Sequence, residues 1–125
     1  MILIDTNLII DYLKGSDTIL QKLMGKEELA ICGIVLAELL HGVSSNSQKQ
    51  LILDASEDFS WISIDDSIWH SVGSNLNNLR KKGLNCPFQD VVLASLCIEH
   101  NIRIASNDKH FHKIAEILTD LNIYS

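Results

Sequence analysis

A single proline and six glycines among 125 residues leave no material for a long flexible linker, and no repeat or low-complexity tract interrupts the chain. Cysteine is scarce too. Cys32, Cys86 and Cys97 form no C-x-x-C pair and each sits beside apolar residues. They read as small buried hydrophobes in a reducing cytosol rather than as disulfides or zinc ligands. No apolar run approaches membrane-spanning length. No basic segment precedes the N-terminal apolar run, and Asp5 interrupts it, so no signal peptide is expected. The expectation is a cytoplasmic protein with no membrane partner. With 46% hydrophobic residues, the chain is expected to form one domain over residues 1–125 with a substantial core.

A net charge of −6 argues by itself against nucleic acid, but its distribution is uneven. Residues 1–66 carry eleven acids and four bases, a balance of −7, whereas residues 67–125 carry five acids and six bases, a balance of +1. Acid gathered in one half is either ordinary surface or a site that holds cations.

Met1-Ile-Leu-Ile4 is a short continuous apolar run, the mark of a strand buried on both faces, and it leads directly into Asp5. Leu8, Ile9, Tyr12 and Leu13 then recur at helical spacing up to a stop at Gly15. This strand–turn–helix puts Asp5 at the carboxyl end of its strand, where open α/β sheets bind ligands. The competing reading is that Asp5 or Asn7 simply caps the helix. A short helix is predicted over 17–26, a buried strand over 29–32 and a helix over 34–42. Glu38 stands within that last helix amid apolar residues, where an ionised carboxylate is costly without a partner. The alternative is a narrow exposed stripe shared with His41 and Ser45. A polar-faced helix over 47–57 and a strand over 61–64 follow. Asp65 and Asp66 are expected to cap the long amphipathic helix over 67–82. Arg80-Lys-Lys82 before Gly83 suits the C-terminal dipole and C-cap of that helix, and is equally suited to phosphate contact. Pro87 opens the next helix, with Asp90 in its first or second turn. A strand over 102–105 leads through Ser106-Asn-Asp108 into a helix from about 109, repeating the geometry of Asp5. His110 and His112, two apart, do not face one metal on a helix. A last strand is expected over 121–124. Strands alternating with helices throughout give an α/β fold with a parallel sheet.

Asp5, Glu38, Asp90 and Asp108 therefore all fall at or near the carboxyl side of the sheet, each beside strongly apolar sequence. At this point the chain resembles the PIN-domain family, in particular the small VapC-type toxin ribonucleases. The matching blocks are Ile4-Asp-Thr-Asn7, Leu36-Ala-Glu-Leu39 with Gly42, Asp90-Val-Val-Leu-Ala94, and Ser106-Asn-Asp108 with Phe111. They span essentially the whole chain in the right order. Val35 departs from the hydroxyl residue that often precedes the second block, and Leu40 stands where arginine is frequent.

The resemblance implies a three-layer sandwich whose central parallel five-stranded sheet runs in the order 3-2-1-4-5. That order would bring Asp5 and Asp108 together at the switch point and keep Asp65 away on an edge strand. Crowded carboxylates are relieved by hard divalent cations, so Mg2+ or Mn2+ is the implied cofactor. Asp5 and Asp108 are assigned the most direct metal contact, with Glu38 and Asp90 acting through water or completing a second site. Asn7 and Ser106 are the supporting residues. The implied activity is metal-assisted hydrolysis of phosphodiesters in single-stranded regions of RNA, with Arg80, Lys81, Lys82, Lys109 and Lys113 as phosphate contacts. An antitoxin covering the acidic cleft and a homodimer are the implied partners. Two rivals stand beside this reading. One is a PIN-fold binding module without catalysis. The other is a haloacid-dehalogenase-like phosphatase, which needs a second acid where this chain has Asn7.

Overall fold

The computed structural model of the chain describes residues 1–16 and 19–124. Twelve elements are defined there: β1 (Ile2–Ile4), α1 (Thr6–Leu13), α2 (Ile19–Leu23), β2 (Leu29–Cys32), α3 (Gly33–His41), α4 (Asn46–Ser56), β3 (Ser60–Ile62), α5 (Ile68–Lys81), α6 (Phe88–His100), β4 (Arg103–Ala105), α7 (His110–Ile117) and β5 (Asn122–Ile123). The five strands form one sheet in the order β3-β2-β1-β4-β5, and every pairing is parallel. This is the topology that the family resemblance implied.

The apolar N-terminus takes the middle of the sheet because only a strand flanked and covered on all sides can bury Ile2, Leu3 and Ile4 without residual exposure. Ile2 pairs with Leu29 on one side and Arg103 on the other. From β1 the chain steps outward to β2 and β3, then returns across the sheet to β4 and β5. Right-handed crossovers in opposite directions put α1 to α4 on one face and α5 to α7 on the other. The packing agrees: α3 meets α1 and α4, while α5, α6 and α7 meet one another. Between α5 and α7, eight consecutive residues of α6, Asp90 to Cys97, are buried, so this helix is apolar on nearly every side.

Several boundaries differ from expectation. Helix α1 starts at Thr6, two residues ahead of its first apolar residue, because Asp5 accepts the Thr6 N–H and begins the helix at once. The start expected for α2 at Asp17 lies outside the described residues. Strand β3 ends at Ile62 instead of reaching Ile64, since it is an edge strand with β2 as its one neighbour and runs out of partners beyond Cys32↔Ile62. Asp65 and Asp66 do not cap α5. Ser67 is its N-cap residue, with no side-chain cap bond, and the backbone carbonyls of Asp65 and Asp66 accept from Ile68 and Trp69 instead. The other end of α5 behaves as expected. Gly83 adopts φ +83°, Leu84 N–H reaches Leu79 C=O at 2.9 Å, and Gly83 N–H reaches Arg80 C=O at 3.0 Å, the paired bonds of a glycine C-cap. Among the described residues no helix is long and apolar enough to cross a membrane.

Candidate active site

Asp5 and Ser106 leave the sheet side by side, because β1 and β4 are paired up to Ile4↔Ala105 and Asp5 N–H still bonds Ala105 C=O at 3.0 Å. Asp5 is only 6% exposed. Its Oδ1 accepts from Thr6 N–H at 2.8 Å and its Oδ2 from the Ser106 hydroxyl at 2.6 Å. Ser106 Oγ in turn accepts from Asp108 N–H at 2.9 Å and from Asn7 Nδ2 at 3.3 Å. Asn7 Oδ1 accepts from Asn107 N–H at 3.1 Å. The two supporting residues thus tie the loop after β4 to the start of α1, and Ser106 holds Asp5 and Asp108 in a fixed relation. Capping and site-building are therefore not alternatives for Asp5: one oxygen caps α1 while the other is held in the cleft.

Asp90, 8% exposed, reaches the same region from the first turn of α6. The residue that joins it to Asp108 is His110. Its Nδ1 lies 3.4 Å from Asp90 Oδ2 and 3.2 Å from Asp108 Oδ2. Each of these three side chains offers a ligand atom within 4.8 Å of the others. The expectation for His110 and His112 holds for the pair, since His112 takes no part in the trio. His110 by itself, however, lies against both carboxylates. Asp108 Oδ1 accepts the His110 N–H at 2.9 Å, and this turn at the start of α7 folds the imidazole back over the carboxylates. The spacing Asp108-Lys-His110 ahead of a helix was the available signal.

Glu38 approaches from α3, partly buried rather than on an open stripe. Burial pushes its carboxyl up and the Asp5 charge pushes it further, while the Thr6 hydroxyl nearby draws it back. No fully formed hydrogen bond satisfies that hydroxyl, and Thr6 Oγ1 is buried. Burial likewise raises Asp5, against the Ser106 and Thr6 hydrogen bonds, with the Asp108 charge adding to the rise. Burial raises Asp90 as well, opposed by His110 and reinforced by the charges of Asp5 and Asp108. Four acids from four separate segments gather around Asp5: Glu38 and Asp90 both register its charge, and Asp5 registers that of Asp108.

A divalent ion fits this donor set. The carboxylates repel one another, and the compact trio supplies oxygen ligands with one imidazole, a mixture that suits a hard divalent ion better than a soft one. Of the five basic candidates, Lys81 and Lys82 are exposed at the end of α5, and Lys109 and Lys113 at the start of α7. Arg80 lines a cavity beside α5. Among the described residues none of the five is engaged in an ion pair. The three cysteines are free, with Cys32 and Cys97 buried as expected.

A sequence model of the PIN domain matches residues 2–117. Ribonuclease VapC1 of Methanocaldococcus jannaschii is 32% identical over 124 residues, which is 98% of this chain and 86% of that protein. The crystal structure of VapBC2 from Rickettsia felis, bound to a DNA fragment from its promoter, contains a chain matching with a TM-score of 0.82 at 26% identity, over 99% of this chain and 98% of that one. A chain of VapBC-1 from nontypeable Haemophilus influenzae matches in fold with a TM-score of 0.79 at 24% identity, over 100% and 98%.

Proposed function

The chain belongs to the PIN-domain family, and from that premise we propose that it is a divalent-metal-dependent endoribonuclease, the toxin of a toxin–antitoxin pair, acting on single-stranded regions of RNA. The observation that carries the chemistry is the convergence of Asp5, Glu38, Asp90 and Asp108 at the switch point of the sheet, three of them with carboxyls raised by burial and by one another. In this reading Mg2+ or Mn2+ is held by Asp5, Asp108, Asp90 and Glu38, and His110 shares the Asp90–Asp108 side. A bound ion supplies an acidified water and offsets charge on the phosphodiester. The chain's own part is to position. Ser106 and Asn7 fix the carboxylates, and Arg80, Lys81, Lys82, Lys109 and Lys113 hold the RNA backbone as unpaired cations. The phosphatase rival loses support, because the Asn7 amide is occupied with Ser106 and Asn107 and no second acid stands there.

A partner is supported separately. A groove of about 360 Å³ runs between α1, α3 and α4, lined by Ile10, Leu13, Leu39, Leu51 and Ile52, and it reaches Glu38. Ile10 and Leu51 are exposed at 37% and 55%. An antitoxin segment with an apolar face and a terminal arginine would fill the groove and neutralise the acids at its end. The ribonuclease VapC1 relative and the VapBC structural neighbours support the same assignment. The further expectations are a single domain over residues 1–125, a cytoplasmic location and a homodimer.

Purified protein should cut single-stranded RNA with Mg2+ or Mn2+ and stop in excess chelator, and Glu38→Gln should remain folded yet inactive. Cleavage that persists in chelator, with contaminating nuclease excluded, would overturn the metal-dependent reading.

A further inference from the structure

On the reading that the chain cuts single-stranded RNA, we propose that the cavity between the C-terminal half of α5 and the turn at residues 84–86 receives an unpaired nucleobase of the substrate strand beside the bond to be cut. The cavity holds about 340 Å³, and Gly73, Leu76, Asn77, Arg80, Asn85 and Cys86 line it. That volume is near the lower end of small-molecule pockets, roughly 300 Å³ and up, and suits one nucleoside. Its walls match the chemistry of a base. Leu76 and Cys86 offer apolar surface to a flat ring, and the amides of Asn77 and Asn85 can each donate to and accept from a base edge. Arg80, free of any ion pair among the described residues, can stack on the ring or hold the adjoining phosphate.

Gly73 is the telling residue. It lies within α5, where glycine costs about 0.5–1 kcal/mol relative to alanine. A Cβ at this position would meet no atom within 4 Å, and its backbone is not left-handed. Neither packing nor backbone geometry calls for glycine, and the open space over its Cα leaves the mouth of the cavity clear until a side chain much larger than a methyl is placed there.

The cavity also lies towards Asp90, which Cys86 on its wall precedes by four residues. The charges of Asp90 and Lys113 both reach the Cys86 thiol, and Asp90 stands on the first turn of α6. Trp69, Gly73 and Asn77 recur every four residues and so share one side of α5. Trp69 stacks on Phe88 with centroids 6.4 Å apart and planes 7° from parallel, and the two residues are 45% and 56% exposed. Such exposed rings give a neighbouring base a stacking surface, as in proteins that grip single strands.

The test compares wild type, Gly73→Ala and Gly73→Leu for binding of fluorescein-labelled 2′-O-methyl hexanucleotides of A, C, G and U in Mn2+, with each probe checked intact on gels. Wild type and Gly73→Ala should prefer the same base. Gly73→Leu should bind about five- to a hundredfold more weakly, the effect of losing one stacked base, and show no base preference. Its Mn2+-induced rise in melting temperature should match wild type. If Gly73→Leu does not fold, the exposed pair Asn77→Ala and Asn85→Ala takes its place, and loss of base preference is expected. A folded Gly73→Leu, or the double alanine variant, that binds all four probes as wild type does would overturn the proposal. RNA cleavage is measured separately. Its absence in wild type overturns the ribonuclease reading, while the hexanucleotide comparison still decides the cavity.

Discussion

Removing the Asp5 charge while keeping its shape tests the electrostatic account of the site directly. Asp5→Asn should cost little as a helix cap, since asparagine and aspartate cap about equally well and the Oδ1 bond to Thr6 N–H survives. The amide nitrogen can donate to Ser106 Oγ only by displacing a donor already there, the long 3.3 Å bond from Asn7 Nδ2 being the weaker of the two, with the hydroxyl turned to a new acceptor. What is lost is a carboxylate, 6% exposed, that desolvation disfavours and that Asp108, Glu38 and Asp90 oppose. Each pKa unit by which a folded-state carboxyl is raised corresponds to about 1.4 kcal/mol. In a domain of this size, each kcal/mol moves the melting temperature by roughly 2–8 °C. The sign follows from linkage. Below the ordinary carboxyl range Asp5 is protonated folded and unfolded, and variant and wild type should melt alike. As pH rises the unfolded chain ionises first, so wild type loses stability until pH passes the raised folded value, and the deficit then stays constant. In chelator at neutral pH the Asp5→Asn variant should therefore melt several degrees above wild type. Added Mn2+ should narrow or reverse the gap, because a ligand at a hundredfold excess over its Kd adds about 2.7 kcal/mol to the form that binds it. Thermal unfolding from pH 3 to 8, with and without Mn2+, reads all of this. A variant that melts below wild type in chelator at neutral pH would refute the reasoning, for it would make Asp5 a net stabilising cap.

Metal binding should release protons, because the raised carboxyls of Asp5, Asp90 and Glu38 must ionise to act as ligands; affinity for Mn2+ should rise with pH through those values, and calorimetry in buffers of different ionisation enthalpy should detect the release. Asp65→Asn should change stability by less than about 0.5 kcal/mol and leave RNA cleavage intact, since the Asp65 backbone, not its side chain, supports the start of α5; loss of cleavage would move the site to β3. Leu51→Arg, placed on the exposed wall of the α1–α3–α4 groove, should leave cleavage intact and abolish suppression by a co-expressed antitoxin, read as toxicity that the antitoxin no longer relieves.

The sheet was legible because its strands are apolar runs between turn signals. Ile2 to Ile4 and Leu29 to Cys32 are buried at every position, so their sequences carry no alternation to misread. Boundaries failed where local chemistry outweighed pattern. Apolar periodicity begins only at Leu8, whereas the cap that Asp5 was weighed as starts the helix at Thr6. Two aspartates before α5 looked like caps, yet the chain there forms a turn through its own carbonyls, and a side chain on such a turn is not aimed at the helix N–H groups. The strand order was less legible: apolar runs show that strands exist, not which ones adjoin, and the order entered through the family resemblance.

The site divides in the same way. An acid at a strand end, or one buried in an apolar helix, is conspicuous because its solvation cost shows in its neighbours, and that applies to Asp5, Glu38, Asp90 and Asp108. His110 carries no such mark. Judged against His112 on a helical wheel it points nowhere useful, because the wheel assumes that the helix has already begun. In the folded chain His110 is the first residue of α7, its N–H is held by Asp108, and its ring direction is set by that turn rather than by helical periodicity. Gly73 is hidden for the opposite reason. A glycine in an amphipathic helix reads as a small loss of propensity, and only the empty space over its Cα shows that nothing in the fold requires it. Residues that act through charge announce themselves locally, whereas those that act by turning a ring or leaving a space acquire meaning only once the segments around them are in place.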